Sequence, residues 1–140
     1  MAGPSTSRDE RSTSFAYRAA ARRTGRRALA DSGAAAVLAR VSEDRSVSLL
    51  ELLQPSRGPA EVAHARQLAM YLVHTLLGRT LTEVGTLFGR DRSTVAHACA
   101  LIEDERERAE FDQAVGRLEA AIAERRAVPV EAMETYRAAG

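Results

Sequence analysis

Between Glu61 and about Arg106 the chain sets three helix patterns end to end with almost no connecting sequence. In Glu61–Leu77, "EVAHARQLAMYLVHTLL", the apolar positions Ala65, Leu68, Ala69, Leu72, Val73 and Leu76 recur at the spacing of one buried helical face. Gly78 stops that helix. Thr80, followed three residues later by Glu83, is a capping box and predicts a short helix from near Leu81 to near Phe88 and Gly89. Asp91 then stands where a cap belongs, ahead of a third helix to about Arg106 whose buried stripe is Val95, Ala98, Cys99 and Ile102.

The flanks of this segment are less regular. Ala34–Arg40 reads as a short helix and Ser46–Leu53 as another, capped by Ser46 or Ser48. Two Pro and a Gly in Gln54–Pro59, "QPSRGP", predict a loop. A last amphipathic helix over Glu110–Arg126 puts Phe111, Val115, Leu118, Ala121 and Ile122 on one side. The resulting plan is a helical domain over 31–126, with a polar, unperiodic tail over 1–14 predicted disordered and a loosely held tail over 127–140. Residues 15–30 carry five Arg among helix-favouring Ala and read either as a basic arm or helix, or as a solvated extension without specific contacts.

Composition agrees with an all-α fold. Hydrophobic residues make up 45% of the 140 and aromatics only 4%, with no Trp, which suits helices packed through small side chains better than a sheet. Cys99 is the single cysteine, and His64, His74 and His97 stand apart, so neither a disulfide pair nor a metal site is expected. No cofactor or small-molecule signal is present, and scattered carboxylates without a nucleophile and its base argue against an enzyme. With no membrane-length apolar run and no signal-peptide pattern, a cytoplasmic, nucleoid-associated protein is expected. The net charge of +1 hides an uneven distribution: +4 over 1–60, +1 over 61–101 and −4 over 102–140. The acidic run "EDERERAEFD", Glu103–Asp112, reads as a solvated face with Asp104 attracting Arg108 one turn on.

The stretch "GRDRSTVAHAC", Gly89–Cys99, carries the chemistry. A short capped helix, a tight turn through Gly89 and a second helix with a polar first turn make the pattern of a helix-turn-helix, predicted at about 80–106. In that motif the second helix enters the major groove of double-stranded DNA and its first residues reach base edges. Arg92 can pair with guanine O6 and N7, Ser93 and Thr94 can serve either base type, and Asp91 either accepts from a cytosine amino group or caps its helix. Arg90 is placed to position the protein on phosphate, as are Arg79 and Thr80 at the preceding turn. His97, one turn after Ser93, reads equally as a duplex contact and as a structural residue.

Ala65–Asp104 also resembles the C-terminal DNA-binding domain of the bacterial replication initiator DnaA. There an A-R-Q-x-A-M-Y-L helix precedes the helix-turn-helix, and this chain matches at Arg66, Gln67, Ala69, Met70, Tyr71 and Leu72. The match continues through Leu81, Glu83, Gly85, Phe88, Gly89, Arg90, Asp91, Thr94, Val95, His97, Ala98 and Cys99. The resemblance implies a helical DNA-binding domain with a Trp-repressor-like helix arrangement, and a phosphate contact at Arg66. This chain departs from the pattern at Arg92, where the family has His, and at Ser93, where it has Thr. Its lead-in loop holds Arg57 as the only base. No G-x-x-x-x-G-K-[ST] occurs in these residues, so no nucleotide-binding site is expected, and the chain reads as a stand-alone DnaA-like helix-turn-helix protein without the ATPase module.

The functional expectation is sequence-specific binding of double-stranded DNA, at replication origins or as a transcriptional regulator. The other reading is a protein-interaction module whose acidic C-terminal half docks a partner.

Overall fold

The computed structural model describes residues 19 and 22–126, so the tails expected over 1–14 and 127–140 lie outside the described residues. In chain order the elements are α1 (residues 22–30), α2 (Ser32–Arg45), α3 (Leu49–Leu53), α4 (Ala60–Leu77), α5 (Leu81–Phe88), α6 (Arg92–Glu105) and α7 (Ala109–Arg126). Among the described residues there is no strand, and the fold is all-α.

The local reasons for these helices can be read residue by residue. Asp31 caps α2, its Oδ1 accepting from the Gly33 and Ala34 N–H groups at 3.1 Å each. The helix runs five residues past the Arg40 expected from sequence and closes at Ser46 in the left-handed region, φ 54°. Ser46 therefore ends α2, and Ser48 begins α3 through a capping box with Glu51. Gly78, at φ 66°, terminates α4. Thr80 and Glu83 form the expected box at the start of α5, with both reciprocal bonds at 3.1 Å.

Helix α4 is the hub. The sequence pattern marks one apolar face, whereas the structure also buries Val62, Ala63, Arg66, Met70 and Tyr71, because α2, α3, α5 and α6 all pack around it. The core joins Val37, Leu38 and Val41 of α2 to Leu68 and Leu72 of α4, Val84 and Phe88 of α5, and Val95 and Ile102 of α6. From α7, Val115, Leu118 and Ile122 are buried, and this helix packs on α2. Ala28 of α1 is fully buried, so the Arg-rich segment, where described, is a helix seated on the domain.

Most of the acidic run is exposed, as its charge pattern suggests, but some of its side chains also bond across the fold. Glu103 accepts from the Tyr71 hydroxyl at 2.8 Å, and Glu105 bonds His64 Nε2 at 2.9 Å. Arg106 donates to Asp112 at 2.7 Å, Glu119 at 3.0 Å and the Tyr71 oxygen at 3.1 Å. Burial works against the charge on Arg106, but Asp112, Glu119 and Tyr71 together hold its pKa above the ordinary value. This network fastens the end of α6 to α4 and α7. The Asp104 to Arg108 pair expected from spacing is not among the ion pairs of the described residues.

Candidate nucleic-acid interface

The angle between α5 and α6 is set by one close approach. A Cβ on Gly85 would lie 2.5 Å from the Arg90 carbonyl oxygen, so only glycine lets the turn fold back this tightly. Gly85 also accepts from the Arg90 N–H at 2.9 Å, and Gly89 makes the turn at φ 66°. Phe88, fully buried, anchors the base of the turn.

From this turn α6 projects a polar first turn and a half. Asp91, Arg92, Ser93, Thr94 and His97 are all exposed. Asp91 is the N-cap by position, but its carboxylate accepts no capping bond. Of the two uses read for it from sequence, capping is therefore not realised. At 100° per residue, Ser93, Ala96, His97 and Ala100 share the face opposite Val95, Ala98 and Ile102, and all four are exposed. The small side chains at Ala96 and Ala100, which sequence reasoning passed over, leave that face shallow enough to enter a groove.

The three arginines expected to grip phosphate are placed differently. Arg66 is only 4% exposed, and it donates from Nε to the Leu52 carbonyl at 2.8 Å, from Nη2 to Glu51 O at 2.8 Å and from Nη1 to Arg57 O at 2.9 Å. Its fork holds α3 and the following loop against α4, which corrects the reading of Arg66 as a phosphate contact. Arg90 donates to Phe88 O at 2.8 Å, Gln54 O at 2.7 Å and Ser56 O at 3.2 Å, and so ties the 54–59 loop to the helix-turn-helix. Arg79 makes a forked contact to Asp31, from Nε at 3.1 Å and Nη2 at 3.2 Å, while its own carbonyl oxygen accepts from His74 Nδ1 at 2.6 Å. Thr80 is exposed, with its hydroxyl oxygen accepting from the Glu83 N–H.

Two of these ties shape the surface around α6. Through Arg90 and Arg66 the backbone of the 54–59 loop is drawn to the start of α6, bringing exposed Arg57 to that end of the molecule. Through Arg79, the Asp31 carboxylate is held below its ordinary value, an effect that outweighs partial burial and is assisted by the Ala34 N–H. Burial pushes the Cys99 thiol up, consistent with its packing role. Among the described residues no three His, Cys, Asp or Glu side chains gather as a metal site would need, and no helix is long and apolar enough to cross a membrane.

Comparison with known proteins bears on this architecture directly. Residues 34–102 match the family described as the bacterial dnaA protein helix-turn-helix. These residues form a DnaA-type helix-turn-helix domain. The chromosomal replication initiator protein DnaA of Lactococcus lactis subsp. cremoris is 49% identical over 59 residues, covering 41% of this chain and 13% of that protein. DnaA of Paraburkholderia phymatum is 43% identical over 67 residues, 47% of this chain and 13% of the relative. The chain thus spans a small part of the length of these curated relatives, and the DnaA-type match begins after α1 and ends within α6.

Proposed function

We propose that the chain binds double-stranded DNA in a sequence-preferring way by laying the N-terminal half of α6 in the major groove. The observation that carries this reading is the exposed cluster Asp91, Arg92, Ser93, Thr94 and His97, projected from a DnaA-type helix-turn-helix whose turn is fixed by Gly85 and Arg90. Among the described residues nothing bonds the Arg92 guanidinium, so its fork is open to guanine O6 and N7. Ser93 and His97 lie on the outward face, Thr94 beside it, and the Asp91 carboxylate, which makes no capping bond, would accept from a cytosine amino group. The unsatisfied N–H groups at the α6 start and the exposed Thr80 hydroxyl would meet phosphate, with Arg57 adding a cation from the loop. Arg79 and Arg90 contribute by holding these groups in place.

The site class follows from the relatives: both are named chromosomal replication initiators, and a duplex carrying a DnaA-type box is the first target to test. Action at origins, rather than as a promoter regulator, is the reading these relatives favour. An interaction module built on the acidic half draws less support, because Glu103, Glu105, Asp112 and Glu119 already have partners within the molecule. Fluorescence-anisotropy titration of box and scrambled duplexes at several salt concentrations tests the proposal. Preference for the box with salt-dependent affinity is expected. Equal affinity for both duplexes overturns sequence-preferring binding at that site.

A further inference from the structure

Helix α1 lies outside the DnaA-type match, yet the fold fixes it against the helix-turn-helix. The Thr24 side chain occupies the space beside the turn, its Oγ1 only 3.0 Å from where a Cβ on Gly89 would be. One turn on, Ala28 is fully buried. Just past its C-terminal end, Asp31 caps α2 and is held by the Arg79 fork, so the chain leaving α1 is fixed as well.

Four arginines ride on this helix, Arg22, Arg23, Arg26 and Arg27, and all are exposed. With Thr24 and Ala28 defining the packed side, a helical wheel puts Arg23 and Arg27 together on one flank of that side, and Arg22 and Arg26 on the outer side. Gly89 is three residues before Arg92, so a helix resting on Gly89 stands beside the start of the recognition helix. Guanidinium forks at the edge of a major-groove helix meet the sugar-phosphate backbone that borders the groove.

We infer that α1 is a second DNA-contacting element, a preorganised cationic helix whose Arg23 and Arg27 grip backbone phosphates beside the groove occupied by α6. The inference rests on the proposed major-groove binding and enlarges its footprint. It also answers a deficit in the loop, where Arg57 is the only base: the missing positive charge is supplied by a separate helix. Because α1 is already docked, its contacts require little ordering on binding.

The test compares R23Q/R27Q with R108Q/R117Q in the full chain. Arg108 lies past the far end of α6 and Arg117 on α7, both exposed, so the two double variants lower the net charge equally at different places. Gln matches Arg closely in helix propensity, and circular dichroism confirms that each variant folds. The dependence of log Kd on log salt for the box duplex is measured for each. Loss of phosphate contacts reduces that slope by about 0.9 for each contact, so R23Q/R27Q is expected to lose up to about 2 while keeping its preference for the box. R108Q/R117Q is expected to leave the slope unchanged. Equal slopes for the two variants overturn the role of α1 and leave the α6 reading standing. Failure of the unaltered chain to bind box, scrambled and randomised duplexes overturns both.

Discussion

Arg90 and Arg92 stand two residues apart at the same helix start, and the structure gives their guanidinium groups opposite tasks. Arg90 turns inward to the carbonyls of Phe88, Gln54 and Ser56, whereas Arg92 is exposed on the first turn of α6. One builds the surface; the other is part of it.

Arg92→Ala is therefore expected to leave the thermal midpoint unchanged and to cost ~1–3 kcal/mol of affinity, relaxing preference at a single base pair. Arg90→Ala strips donors from three carbonyls and is expected to lower stability by about 1–3 kcal/mol and to weaken every duplex alike. Paired melting and anisotropy measurements separate the two, and a matching profile for both variants would contradict the division of labour.

Gly85→Ala places a methyl group 2.5 Å from a backbone oxygen that has nowhere to retreat without opening the turn. Overpacking of this kind costs ~1–3 kcal/mol. Urea denaturation should show that loss, and DNA affinity should fall further than stability because α6 is displaced. An alanine variant as stable as the parent would mean that the turn relaxes freely.

Acid stability should depend on Asp31. The hydrogen bond from Arg79 leads in holding its carboxyl below the ordinary 3.8, against partial burial, with the Ala34 and Gly33 N–H groups helping. The stabilisation is present above that ordinary value and is lost as pH falls through the lower folded one, where the native carboxylate finally takes up its proton. Asp31→Asn keeps a capping oxygen but no charge, so its unfolding free energy should fall less steeply on the acid side. An acid limb identical to that of the parent would show that the pair with Arg79 is not coupled to folding.

Arg66→Lys tests the forked anchor. A single ammonium cannot reach the carbonyls of Leu52, Glu51 and Arg57 at once, so acceptors near α3 lose their donors, at about 1–3 kcal/mol each when buried. Calorimetry should report a lower melting temperature, with hydrogen exchange accelerated first in α3. Unchanged exchange there would place the anchoring elsewhere.

How legible was all this in the residues? The helices from Ala60 onward were, because their signals are local: the Thr80 and Glu83 box, glycines at 78 and 89, and stripes such as Val95, Ala98 and Ile102. So was the exposed start of α6. The end of α2 was not, since Ser42–Arg45 continue the helix without adding to its apolar stripe, and only the left-handed Ser46 stops it. The roles of Arg66, Arg79 and Arg90 were illegible for a different reason. Their partners are main-chain carbonyls or an aspartate 48 positions away, and a guanidinium bound to a carbonyl leaves no mark in the pattern of side chains. The seat of Thr24 against Gly89 is longer still in sequence and equally silent.

The 54–59 loop is held to the body by its backbone oxygens at Gln54, Ser56 and Arg57. Carbonyls belong to every residue type, so the bond to Arg57 O survives replacement of the side chain at 57. The loop is in effect a cassette on a fixed mount: a lineage can revise what it offers to a target while its path stays the same, and a designer can vary position 57 with little risk to the fold.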